Sequence, residues 1–525
     1  MMDKWQALHR RFFYSPKTKL MLDWEGLGIS DEFIAENESL LAKAFAGMDA
    51  LESGAIANPD EGRMVGHYWL RAPELAPNGE ISAEIADCLK AVTAFTKKVQ
   101  EGEILSERGE KFKSVIVAGI GGSSLGPVFV YQALAARHAK LKLYFLDNTD
   151  PDGMDAVFEA LEDEADTALT VVISKSGGTI ETRNCMEEAR AFYEAHGLSF
   201  AKHTVCISGR DSKLDKVAQS EGWLERFPMW DFVGGRTSVM AAVGLLPLAL
   251  AGVDTDALLR GAADCDALTR CHDLTANPAA IMALGWYACS GGRGGETMVV
   301  LPYKNSLELF AKYLQQLIME SLGKEFDLDG NTVHQGLAVM GNKGSSDQHS
   351  YVQQLVAGPD NVFVTFVQVL RGRAGESITV GEESTSGDYL HAFMLGTKKA
   401  LEDHGKRTMT LTIPEVNAYQ IGQLIALFER AVGLYAQMVH INAYDQPAVE
   451  WGKKAAGSLI ALKNSARAYL AANAGKAFTA EEVAAALGAA AEDVFRLLLT
   501  LDANDDAITM SAAQNLLDSS FSYNG

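Results

Sequence analysis

Between about residues 110 and 250, short β-branched runs alternate with segments of helical spacing. "SVIVAG" (114–119), "KLYFLDN" (142–148), "ALTVVISK" (168–175) and "HTVCISG" (203–209) read as strands. "GPVFVYQALAARH" (126–138), "DGMDAVFEALED" and "TRNCMEEARAFYEAHG" read as the helices between them, the last ended by Gly197. Continuously apolar strands that alternate with helices imply a parallel sheet covered on both faces. The pattern resumes with "ETMVVLPY" (296–303), "NVFVTFVQVL" (361–370) and "RTMTLTIPE" (407–415). Helices are expected at about 305–323, 347–357, 417–440 and 446–471. The expectation is therefore an α/β protein with two parallel-sheet domains, at 61–255 and 256–472. A helical arm at 1–60 precedes them, and a small helical appendage at 473–525 follows, built of two helices joined at Gly488.

A chain of 525 residues accommodates two or three domains. Its net charge of −22 argues against a partner that is nucleic acid or an anionic membrane, both of which attract basic surfaces. The most apolar run, "VMAAVGLLPLALAG" (239–252), is shorter than the roughly 20 residues of a membrane span and reads as a buried helix. The N-terminus contains no apolar h-region, and the six cysteines are scattered without CxxC or His pairing. These features point to a cytoplasmic location with free thiols in the core and no metal site.

Two of the strands end in unusual loops. "GIGGSSLG" follows the first, and "SKSGGTIET" follows the third. In an open parallel sheet, ligands bind beyond the carboxyl ends of the strands. Glycine lets the backbone come close to a ligand, and the amides that open the next helix suit an anion. Ser123, Ser174, Ser176 and Thr179 add neutral donors, and Lys175 adds a charge. A nicotinamide site is the main rival. "GIGGSS" gives Gly119 and Gly121 of G-x-G-x-x-G but ends in Ser124, and Asp147 lies 26 residues after Gly121 rather than about 20. No Walker loop is present. The phosphate of a small metabolite fits the two loops better than a nucleotide.

Several residues carry candidate chemistry. "NSLELFAKYLQQLIMESLG" (305–323) has Asn305 as cap, Glu308 as its capping-box partner and Gly323 as terminator. Leu307, Phe310, Leu314, Leu317 and Ile318 form one apolar stripe, with Gln316 and Glu320 on its flank. A partly buried carboxylate there suits general-base work, although on spacing alone the plainer reading of Glu320 is a rim salt bridge. His349 follows a Gly/Ser segment at a helix start, and it reads as either structural or a proton carrier. Arg236 enters an apolar helix directly after two glycines and calls for an anionic partner. "DQPAVEWGKKAAGSL" (445–459) offers Gln446, Glu450, Lys453 and Lys454, with Glu450 and Lys453 spaced as a simple surface pair.

Taken together and in order, these motifs resemble the glucose-6-phosphate isomerase (phosphoglucose isomerase) family from about residue 110 to 460. They are GIGGSSLGP, SK-x-x-x-T-x-E-T, VGGR-x-S, Q-x-x-x-ES, GSSDQHS-x-x-Q and DQ-x-x-VE-x-GK. The resemblance implies two sugar-isomerase-type domains and reversible isomerisation of glucose 6-phosphate to fructose 6-phosphate through a cis-enediol, in glycolysis and gluconeogenesis. It makes Glu320 the base between C2 and C1 and Arg236 the cation that meets the developing enediolate. It makes His349 the ring-opening group, contributed across a homodimer interface, and Lys453 its helper at the ring oxygen. Gly122, Ser123, Ser174, Lys175, Ser176 and Thr179 would cradle phosphate, with Gln316 and Gln446 holding substrate. No cofactor or metal is implied, and the partner is a small-molecule sugar phosphate. Gly177 and Gly178 stand where many relatives carry a bulkier residue and a threonine, which implies a more flexible cradle. Pro447 and Ala448 likewise stand where tryptophan and glycine are common. A phosphosugar-sensing regulator without catalysis, or an isomerase of another hexose phosphate, are the alternatives.

Overall fold

The computed structural model describes residues 4–381 and 383–525. The chain divides into two compact units, Met1–Asp445 and Gln446–Gly525.

The first unit holds two large sheets and, among the described residues, three two-stranded ones. Strands β1 (Phe12–Tyr14) and β2 (Met21–Asp23) come from the N-terminal region. Strands β3 (Ser114–Ala118), β4 (Lys142–Leu146), β5 (Ala168–Ser174), β6 (Thr204–Ser208) and β7 (Glu225–Pro228) form a wholly parallel sheet in the order β4-β3-β5-β6-β7. Strands β8 (Thr297–Pro302), β9 (Ala338–Met340), β10 (Val362–Val369) and β11 (Arg407–Ile413) form the parallel part of the second sheet, in the order β11-β10-β8-β9. There β2 pairs antiparallel with β11, Asp23 opposite Thr410, and β1 pairs antiparallel with β2.

Side-chain alternation sorts the core. Val115, Val117, Val171 and Ile173 of the first sheet share one buried cluster with Val300, Phe363 and Leu411 of the second. The opposite faces, with Ile116, Ala118 and Val172 on one sheet and Val299, Leu301 and Phe366 on the other, are buried in separate clusters. Both faces of each sheet are thus covered, as continuously apolar strands require.

Three local expectations change. The arm at 1–60 is not only helical, because β1 and β2 extend the second sheet. Their three-residue runs are too short to show a period of two. The helix Pro447–Ala472 groups with the tail rather than with the second sheet. The segment 305–323 is not one α-helix but a 3₁₀ turn (Asn305–Leu307), an α turn (Phe310–Leu314) and a π turn (Gln315–Glu320). Its N-cap is Lys304 without a side-chain cap, and Glu308 instead accepts from Lys343 at 2.7 Å.

The second unit has its own core, in which Leu470, Val483, Val494, Leu498 and Phe521 are buried together. Its two short helices, Ala480–Leu487 and Ala491–Asn504, meet at Gly488 (φ 64°). A three-stranded antiparallel sheet joins them there.

Candidate active site

In the first sheet the strand order reverses between β3 and β5, since β4 lies on one side of β3 and β5 on the other. The crevice at such a reversal is where open α/β sheets bind ligands. The loops after β3 and β5 are the glycine and serine loops singled out in the sequence, so both flank that crevice.

The glycine loop is fixed by close backbone approach. A Cβ on Gly122 would stand 2.0 Å from the Gly235 carbonyl oxygen, so the loop touches the "VGGR" backbone directly. Ser238 Oγ donates to the Gly235 carbonyl at 2.7 Å and to the Gly122 carbonyl at 3.3 Å, which ties the two segments. Gln316 Nε2 lies 3.2 Å from where a Gly121 Cβ would be. Ser123 is half-buried beside them. Ser124 Oγ donates to Asp147 at 3.0 Å, so the acid that resembled a ribose ligand already has a hydroxyl partner.

The serine loop is built by its own hydroxyls. Ser174 is buried, accepts from the Gly177 amide at 3.2 Å and donates to Thr179 Oγ1 at 3.3 Å. Ser176 is exposed and accepts from the Gly178 amide at 3.1 Å. Gly177 (φ 65°) is no slack point, because a Cβ there would lie 2.3 Å from the Leu214 amide nitrogen. Lys175 Nζ does not point toward these hydroxyls as a bare cation. It donates to the carbonyls of Asp231 at 3.0 Å and Val233 at 3.1 Å, and it lies 3.6 Å from the Asp231 carboxylate. Burial lowers its pKa. Lys175 therefore fastens the serine loop to the segment that leads into Arg236.

Arg236 is 5% exposed. It donates to Ser321 Oγ at 3.1 Å and to the carbonyls of Ala443 and Asp445 at 3.0 Å each. Its Nε lies 3.8 Å from Glu320 Oε2. Burial lowers the guanidinium pKa, against the pull of Glu320 and Asp445, yet an arginine in this setting stays charged. Glu320 keeps 26% of its side chain exposed, whereas the cation beside it keeps 5%. The rim salt bridge that the spacing of Glu320 allows is present, with Arg236 as its partner. The π turn that carries Gln315–Glu320 is a rare geometry found mostly at functional sites.

Two further residues complete the cluster without having been singled out. Lys324 Nζ donates to the carbonyls of Glu320 at 2.9 Å and Asp445 at 3.0 Å, and lies 3.5 Å from Asp445 Oδ1. Burial, aided by Arg236, pulls the Lys324 pKa down to about 8. Burial also raises that of Asp445, so desolvation outweighs the attraction of the pair for both partners. Asp445 belongs to the "DQPAVE" motif but carried no role there. Lys324 had only its i+4 relation to Glu320 as a signal.

Other expected residues stand apart. His349 ends the 3₁₀ turn Ser346–His349 and is exposed. Among the described residues no hydrogen bond or ion pair joins it to Glu320 or Arg236. Gln446, Lys453 and Lys454 belong to the second unit, where both lysines are exposed on the helix Pro447–Ala472. The side chain of Glu450 lies outside the described residues.

Loops rich in hydroxyls and amides, beside a carboxylate held against a buried guanidinium, suit a protein that moves protons on a small anionic molecule. Comparison with known proteins narrows that class. The family model described as phosphoglucose isomerase matches residues 32–474. The chain is 53% identical over 528 residues to a glucose-6-phosphate isomerase of Desulfitobacterium hafniense, covering 100% of this chain and 99% of that one. It is 52% identical over 524 residues to one of Geobacter sulfurreducens, covering 99% of each. A glucose-6-phosphate isomerase structure from Chlamydia trachomatis superposes with a TM-score of 0.79 at 25% identity, over 87% of this chain and 91% of that one. The chain belongs to the phosphoglucose isomerase family.

Proposed function

We propose that the chain interconverts D-glucose 6-phosphate and D-fructose 6-phosphate through a cis-enediol intermediate. The observation that carries this reading is the Glu320–Arg236 pair, at 3.8 Å, beside the glycine loop. The phosphate anchors in the loops after β3 and β5, through hydroxyls and amides. That remote grip positions C1 and C2 at the carboxylate. Glu320 takes the C2 proton, and negative charge grows on the substrate oxygens. Arg236 is a fixed cation beside that charge, already desolvated and held by three hydrogen bonds, so it needs no reorganisation as the charge forms. Glu320 then returns the proton to C1 on the same face. The hydrogen stays with the substrate carbons, so the step is redox-neutral. Gln316 stands at the glycine loop, placed to hold substrate between phosphate and base.

Ring opening falls to His349, contributed by the second subunit of a homodimer, with Lys453 at the ring oxygen and Gln446 on the substrate. The exposure of His349 supports that assignment, since an exposed histidine is available to a neighbouring molecule. Among the described residues no helix is long and apolar enough to cross a membrane, in keeping with a cytoplasmic enzyme.

The test is Glu320→Gln assayed in both directions. Turnover is expected to fall by about 10³-fold or more, the scale of a lost general base, while the sugar phosphate still binds. Near-normal turnover overturns the assignment. A wild-type chain that binds the sugar phosphate without converting it would make the protein a sensor instead.

A further inference from the structure

The second sheet has its own point of strand reversal. In the order β11-β10-β8-β9, the chain leaves β8 for β9 on one side and returns to β10 on the other. A cavity of about 1180 Å³ opens there, at the carboxyl ends of β8, β10 and β11. Its walls are the segments that follow those strands, from Tyr303, Leu370 and Glu415 onward, together with the end of the helix Leu125–Leu134 and the start of the helix Ser386–Asp403. It is the topological counterpart of the site between β3 and β5, and none of the residues assigned above to the isomerase site lines it.

Its electrostatics run against the rest of the chain, which carries a net charge of −22. Four permanent cations line it: Arg137, Lys304, Arg371 and Arg373. Of its three carboxylates, Glu415 is paired with Arg371 at 3.0 Å and Glu308 with Lys343 at 2.7 Å. The third, Asp388, accepts from the Thr385 amide and hydroxyl at 2.8 Å each and closes a capping box. Arg137, Lys304 and Arg373 form no ion pair among the described residues. Lys304 Nζ is held only by the carbonyls of Arg371 and Gly372, at 3.2 and 2.6 Å. Burial, together with Arg137, lowers its pKa, so these two cations feel each other without a compensating anion. Like charges gathered in a concave site raise the local concentration of a counter-ion. The hydroxyls of Ser306, Ser377 and Ser386 add donors at the same wall.

We infer that this cavity is a second ligand site, for a small polyanion carrying more than one phosphate-type group, separate from the isomerase site. A single phosphate would leave part of the uncompensated charge unmet, whereas two linked anionic groups match Arg137 and Lys304 together with Arg373. The helix Leu125–Leu134 starts at the glycine loop and ends at this cavity, so an occupant would touch an element that also frames the isomerase site.

The experiment is calorimetric titration of inorganic pyrophosphate into the full chain, with inorganic phosphate as the single-group control. Two classes of sites are expected for pyrophosphate. In the double variant Arg137→Met/Lys304→Met, one class should weaken by about ten-fold or more, as loss of charge-assisted hydrogen bonds implies. The kcat and KM for hexose phosphate should stay within about two-fold, since neither residue belongs to the isomerase site. The single exposed change Arg137→Ala, less demanding on folding, should weaken the same class. In Ser176→Ala/Thr179→Val that class should persist while the other weakens. A single class of sites, or pyrophosphate binding unchanged by the Arg137 and Lys304 substitutions, overturns the inference. So does a loss of self-association in the double variant with pyrophosphate binding intact, which would assign the cavity to a second copy of the chain.

Discussion

Lys324 is placed by the fold to titrate in an unusual range. Its ammonium is nearly buried, donates to two carbonyls and shares space with Arg236, and its pKa falls from the usual 10.5 to about 8. The native protein therefore holds this proton less tightly than the unfolded chain. Between about pH 8 and 10.5 the unfolded chain binds more protons, so this residue makes stability rise with pH, by up to about 1.4 kcal/mol per unit. The contribution is complete above the unfolded value and is lost as pH falls through about 8. Urea midpoints measured across that range should show the slope in the wild type and lose it in Lys324→Met. Neither Lys324 nor Asp445 announced itself in the sequence. They meet across 121 residues of chain, and only tertiary approach creates the desolvation that makes them notable. Arg236 was legible for a simpler reason. A cation set after two glycines and ahead of an apolar run must find buried partners, and it does so from the 3₁₀ turn Gly235–Thr237, short of the helix that begins at Ala242.

At the scale of elements, the segment 305–322 shows what periodicity reveals and what it hides. Leu307, Phe310, Leu314, Leu317 and Ile318 are all buried as the helical spacing implies. The spacing tolerates a wide turn, because one extra residue moves the stripe by less than its own width. The change to π hydrogen bonding at Gln315–Glu320 therefore leaves no trace in the pattern. That wide turn sets where Glu320 points. Met319 lies within it and is 42% exposed, so its removal costs little core. Deleting Met319 should regenerate an ordinary turn and change how the Glu320 carboxylate is set against Arg236. The expected outcome is turnover below about one per cent of wild type with a melting temperature within a few degrees. Retained activity would show that the wide turn is dispensable. The glycine and serine loops were legible for the opposite reason. They sit at strand ends, where a run of glycine and hydroxyl residues has no packing explanation, and the reversal of strand order brings them together.

For the whole molecule, the parallel sheets were readable because strands buried on both faces are continuously apolar. The short strands β1, β2, β7 and β9 were not, being mixed in composition. The parts of the first unit are joined by buried charge as well as by the apolar cluster the two sheets share. Arg71 is buried and donates to Asp266 at 2.6 and 3.0 Å and to Glu429 at 2.5 Å, linking three segments far apart in sequence. Arg430 pairs with Glu52 in the same network and lies over Tyr68, 4.1 Å from the ring centre. Removing one partner from such a network leaves uncompensated buried charge. Arg71→Met should destabilise the protein by about 3–5 kcal/mol in chemical denaturation while leaving the site residues unaltered. The subunit assignment of His349 belongs at this scale too. Mixing inactive Glu320→Gln and His349→Ala chains after reversible dissociation should restore about one quarter of wild-type activity if the histidine crosses between copies. No recovery would place it within its own chain.

The tail has buried leucines, a helix Ala480–Leu487 with a capping box at Thr479, and a small sheet of its own, so it carries a core separate from that of the first unit. Heating such a chain should produce two melting events rather than one. A protein clipped after Asp445 would keep the glycine and serine loops, Arg236 and Glu320, yet would no longer carry Gln446 or Lys453.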